Sequence, residues 1–154
     1  MKSLFLVLVF LAWFAAPACA DYVAGMAAFE RGDYKTALRE LKPLAEKGVA
    51  KAQCYLAAMY GSGAGVPQDD KESMRWYRLA ANQGYDEAQL NLGLLYDTGQ
   101  RLPQDYVLAH MWYNLAAAQG NENAPASRDA LTEKMTPAQI AEAQKLAREW
   151  KPKK

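Results

Sequence analysis

The chain has 154 residues, 51% of them hydrophobic, and a formal net charge of +1 from 18 basic and 17 acidic side chains. That composition is of one ordinary folded domain, too apolar and too weakly charged for a disordered chain. It lacks the basic surplus of a nucleic-acid-binding protein, so no nucleic-acid partner is expected.

The first element is an export signal. Lys2 gives a positive start, residues 4–16 carry no charge, Pro17 interrupts the run, and Ala18-Cys19-Ala20 has the small-x-small form of a cleavage site. The apolar run is short for a permanent span. Residues 1–20 are therefore expected to be removed, leaving an exported chain, periplasmic or secreted, with no stable membrane insertion. The alternatives are an uncleaved anchor, or lipid attachment at Cys19, where Ala16 stands in the place of the usual Leu. Residues 21–154 hold 17 basic and 17 acidic groups and one cysteine, Cys54. They have no internal disulfide, so packing must supply the stability.

Next comes a repeat of 36 residues. Across 52–84 and 88–120, 15 of 33 positions are identical without a gap, among them Ala52/Ala88, Gln53/Gln89, Leu56/Leu92, Tyr60/Tyr96, Asp69/Asp105, Trp76/Trp112 and Gly84/Gly120. A shorter unit precedes it, with Asp33, Leu44, Ala45 and Gly48 in register, and a degenerate one follows Gly120. The units fall at about 21–48, 49–84, 85–120 and 121–150. Apolar residues at i, i+4 and i+8 make each half-unit helical. Eight helices are predicted, at about 21–31, 33–47, 49–60, 69–83, 85–97, 105–119, 124–134 and 137–149, paired as antiparallel hairpins with no strand. Asp69, Asp105 and Thr136 are predicted N-caps, Gln139 completes a capping box, and Gly84 and Gly120 take the positive φ after a helix. The second helix of each middle unit should turn Trp76 or Trp112, Leu79 or Leu115, and Ala80 or Ala116 inward. The helix over 49–60 is apolar nearly all round and must be covered on several sides, the logic of an all-α solenoid.

The unit Ala-Gln-x-x-Leu-(Gly/Ala)-x-x-Tyr, then Pro-Gln-Asp, then Trp-Tyr-x-Leu-Ala-Ala-x-Gln-Gly resembles the Sel-one-like repeat (SLR), a branch of the tetratricopeptide-like α-solenoids. The stretch from Ala109 through Thr136-Pro137 resembles the terminal repeat of exported bacterial members. The resemblance implies a right-handed superhelix of helix pairs that acts as a non-catalytic adaptor or scaffold for other proteins. A cysteine-rich branch linked to penicillin binding staples its hairpins with Cys pairs, which one mature cysteine excludes here.

Chemistry-bearing motifs are few. Gly61-Ser62-Gly63-Ala64-Gly65 follows a helix and lacks the Lys of a phosphate loop, so it reads as a turn. His110 is alone and has no triad or metal partners in any motif. Cys54 reads as a small core residue, and the acids at helix starts read as caps. No cofactor or metal and no catalytic residue is expected. On the helices expected to line the concave side, Tyr55, Met59, Asn91 and Leu95 are the candidate groove for a protein or peptide partner. An alternative is a cell-wall glycan or peptide bound by Tyr55, Tyr60, Tyr77 and Tyr113; a weak hydrolase is a third reading, without a visible nucleophile–base pair. Nothing in the sequence sets an oligomeric state.

Overall fold

The structure, a computed structural model, describes residues 16–153, with side chains from Asp21 onward. The charged start and most of the apolar run of the expected signal lie outside the described residues. Among these residues there are eight helices and no strand: α1 Ala16–Glu30, α2 Tyr34–Glu46, α3 Ala50–Ser62, α4 Asp70–Asn82, α5 Asp86–Thr98, α6 Tyr106–Ala118, α7 Ala124–Thr132 and α8 Pro137–Glu149. The first helix extends to Ala16, so Pro17 and the expected cleavage point lie within α1 rather than ahead of it.

The 36-residue register reappears as repeated hydrogen bonds. Asp33, Asp69 and Asp105 cap α2, α4 and α6: Asp33 Oδ1 accepts from Thr36 N–H at 3.2 Å, Asp69 Oδ1 from Lys71 and Glu72 N–H at 3.0 Å each, and Asp105 Oδ1 from Leu108 N–H at 3.0 Å. These side chains satisfy backbone donors that a helix start leaves free. Gly63 and Gly99 close α3 and α5 at φ +71° and +63°, conformations that an L side chain resists. The capping box of Thr136 and Gln139 is formed.

Adjacent units are joined by the Gln of each Ala-Gln pair. Gln53 Nε2 donates to Ala45 O, and Gln89 Nε2 donates to Ala81 O, both at 3.1 Å and both buried. Each amide thus adds a second donor to a carbonyl in the last turn of the preceding helix, which also accepts from Gly48 N–H or Gly84 N–H at 3.0 Å. Helices α1/α2, α3/α4 and α5/α6 pack as hairpins, and α2/α3, α4/α5 and α6/α7 join one hairpin to the next. Ala52, Leu56, Ala57 and Met59 of α3 are wholly buried between these neighbours, as are Ala88 and Leu92 of α5. The core is continuous along the array, the all-α solenoid arrangement.

Two features depart from the sequence reading. The last two helices do not close a hairpin. Instead α8 lies on α6, with Trp150 edge-on to Trp112 at 6.5 Å and with Leu146 and Ala147 packed into the cluster that holds Met111, Trp112 and Leu115. Beyond α8, Lys153 N–H donates to Asn82 O at 2.7 Å at the end of α4. The second departure is Leu79. It is 40% exposed, whereas its counterpart Leu115 is 6% exposed. The difference has a cause in the cover: α8 lies on α6, and among the described residues no helix lies on the matching side of α4.

Candidate functional site

Three helices bring the candidate residues to one face. Phe29 and Tyr22 come from α1, Cys54 and Tyr55 from α3, and Glu87 and Asn91 from α5. The Tyr55 ring stands edge-on to Phe29 at 5.1 Å and to Tyr22 at 6.3 Å, an arrangement that favours aromatic pairs. Tyr55, Asn91, Phe29 and Glu87 line a cleft of about 100 Å³ whose floor is Cys54 and Tyr77. Asn91 and Tyr77 also line a second cleft of about 350 Å³, with Leu94, Leu95 and Arg101. Tyr55, Asn91 and Leu95 therefore share a surface of two adjoining clefts. Met59 does not: it is wholly buried. The sequence places it in the candidate groove, but on a helix apolar nearly all round α2 and α4 enclose that side, so it is core.

Glu87 sets the electrostatics of the cleft. Burial is the first cause of a raised pKa at Tyr22, Cys54, Tyr55, Tyr77 and Tyr85, and the Glu87 carboxylate adds to the rise at all five. Tyr22 and the Cys54 thiol are each pushed up to about 12. Tyr85 Oη donates to Glu87 Oε2 at 2.9 Å, which holds the carboxylate in place. The cleft is an aromatic surface with the Glu87 carboxylate on its lining, and Glu30 and Asp86 add negative charge at Tyr55 and Cys54, so it suits a cation on an apolar stem. Cys54 stays protonated at neutral pH, and a thiol is a poor nucleophile in that state.

The remaining chemical groups serve the fold. His110 is 2% exposed within α6. Burial lowers its pKa first, the charge of Arg128 adds to the shift, and Asp129 opposes it. The four tyrosines of the glycan reading do not converge. Tyr113 is buried in a separate cluster with Ala109 and Leu131, while Tyr60 packs against the main core. The Gly61–Gly65 stretch is a helix end and turn, and Gly61 has a further use: the Arg101 guanidinium of the next unit lies against its backbone, 3.4 Å from Asp70 Oδ1. The loop over 98–103 thus ties α5 and α6 back to α3 and α4. Among the described residues no group of three or more His, Cys, Asp or Glu side chains is placed to hold a metal ion.

Sequence reasoning missed Tyr22, Phe29 and Glu87. Tyr22 and Phe29 precede the strong repeat and have no register partners. Glu87 read as a helix-start acid because its tyrosine neighbours come from other helices.

Stacked two-helix repeats, stapled by Gln53 and Gln89, place this molecule among the α-solenoids, a class whose work is done on exposed faces. Residues 50–85 and 86–121 each match the family model described as Sel1 repeat. Such repeats are generally protein–protein interaction modules and typically non-catalytic. Among solved structures the chain is similar to c5321, a protective antigen present in uropathogenic Escherichia coli strains displaying an SLR fold. That match has 28% identity and a TM-score of 0.81, covering 88% of this chain and 30% of that one. It is also similar to a Sel1 repeat protein from Oxalobacter formigenes, with 30% identity and a TM-score of 0.68, covering 73% of this chain and 46% of that one. The chain spans less than half the length of either structure. No curated protein is similar enough to match.

Proposed function

We propose that this chain is an exported, non-catalytic adaptor that holds a segment of another protein against the face built by α1, α3 and α5. The observation that carries the reading is the cleft in which Tyr55 stands between Phe29 and Tyr22 while Glu87 faces the same aromatic group. A Lys or Arg side chain laid there satisfies the carboxylate with its head and covers the rings with its stem. The export part of the reading rests on the charge and apolar pattern of residues 2–20. Among the described residues no helix is long and apolar enough to cross a membrane.

Two measurements test it. The mass of the protein recovered from a periplasmic extract should equal that of residues 21–154. The full-length mass in the cytoplasmic fraction contradicts export, and a lipid-modified Cys19 contradicts a free chain. A photo-crosslinker at Asn91 should trap a partner in the envelope fraction, and Glu87→Lys should remove that adduct with the melting curve unchanged. An adduct that survives Glu87→Lys contradicts this face.

A further inference from the structure

The second surface lies on α4. One stripe of that helix, Lys71, Arg75, Arg78 and Leu79, walls a groove of about 440 Å³ with Arg101 of the loop between α5 and α6 on its other side. The repeat supplies a direct comparison, because the matching residues of α6 are Val107, Met111, Asn114 and Leu115. In α6 these four residues are neutral: Asn114 accepts from Arg128 Nη1 of α7 at 3.2 Å, and α8 lies on the helix with Leu146, Ala147 and Trp150 in its core cluster. In α4 three cations replace the three neutral residues, and the shared leucine is left 40% exposed.

The cations differ in how they are occupied. Arg75 pairs with Glu72 at 2.9 Å and lies over the Trp76 ring at 4.1 Å, shielding that indole as α8 shields Trp112. Arg101 faces Asp70. Lys71 and Arg78 meet no carboxylate within ion-pair distance among the described residues, nor do Lys47 and Lys153 in the adjoining cleft. Arg78 is also fixed in place, since its Nη2 donates to Tyr96 Oη at 3.0 Å. A positioned, unpaired guanidinium beside an exposed leucine is a prepared site for a carboxylate next to an apolar side chain.

We propose that this side of α4 is a docking surface for an acidic amphipathic helix of another protein, laid on α4 much as α8 is laid on α6. The occupant presents an apolar residue to Leu79 and carboxylates to Lys71 and Arg78. From Lys71 to Asn82 the helix is about 16 Å long, which a partner helix of about 12 residues spans. The site meets the α1–α3–α5 surface only at Arg101, which lines a cleft on each side, and its charge is opposite to that of the Glu87 cleft.

The test uses residues 21–154 and a fluorescein-labelled 12-residue peptide with leucines on one helical face and glutamates elsewhere. A scrambled peptide of the same composition and a version with lysine for glutamate are the comparisons. Anisotropy should show binding of the acidic amphipathic peptide alone, weakened by added salt. Arg78→Glu and Leu79→Ser should each weaken it by about ten-fold, the scale of one lost charge-assisted or apolar contact. Lys35→Glu, on another helix, should leave it unchanged. Lys71→Glu provides a second charge reversal should Arg78→Glu alter the melt. Equal binding of the scrambled or lysine peptide overturns the proposal, as does indifference to Arg78 and Leu79. Association with phosphatidylglycerol vesicles in place of the peptide also overturns it and assigns the face to lipid.

Discussion

Gly93 holds its place because of Tyr113. A methyl group there would press into the Tyr113 ring, which is 1% exposed and enclosed by α7. Helix propensity alone favours Gly93→Ala by about 1 kcal/mol. Overpacking a rigid core ring costs about 1–3 kcal/mol, so the clash wins. Urea unfolding should show Gly93→Ala less stable than wild type; a gain would mean that the ring gives way. His110 makes a second prediction at this scale. Its folded pKa lies below the ordinary 6.5, so the unfolded chain binds a proton that the folded chain refuses. This group therefore leaves stability intact above pH 6.5 and erodes it as the pH falls from 6.5 toward the lowered value. His110→Gln should flatten the fall in melting temperature between pH 7 and 5.5. An unchanged slope would place the proton elsewhere. Asp33 and Glu72, both lowered by hydrogen bonds first, lose their contributions only at more acidic pH.

At the scale of the element, helix positions were legible because their signals are local. The Asp69 and Asp105 caps, the Thr136–Gln139 box and the glycines after α4 and α6 each mark an end by chemistry within a few residues. The docking of α8 was not legible. Its apolar residues show that one side must be buried, but not that α6 rather than α7 receives it. Likewise the register found Tyr55 and Asn91, but it had no means to bring Tyr22 and Phe29 from α1 beside them. It also could not separate Met59 from its neighbours on a helix apolar nearly all round. The observed docking makes Trp150→Ala informative. Trp150 is half-buried against Trp112, so the change should cost roughly 2 kcal/mol, less than for a fully buried tryptophan. Amide exchange should quicken over residues 137–149 while α3 stays protected. Equal loss of protection in α3 and α8 would contradict a separately docked α8.

At the scale of the whole molecule, stability and function follow from the same arrangement. Neither α3 nor α5 can bury its sides within its own hairpin; each takes its cover from the hairpin before it and from α4 or α6. The buried Gln53 and Gln89 amides hold that order unit to unit. What remains outside differs from side to side, an aromatic cleft around Glu87 and a cationic groove around Leu79, and these are the places where partners are expected. The claim beneath all of this is that one two-helix unit cannot fold without its neighbours. Thermal melts by circular dichroism of residues 21–154 and of residues 49–84 alone test it most directly. The account predicts a helical spectrum and a cooperative transition for the longer chain and a largely unfolded spectrum for the single unit. A single unit that is helical and melts cooperatively would contradict it.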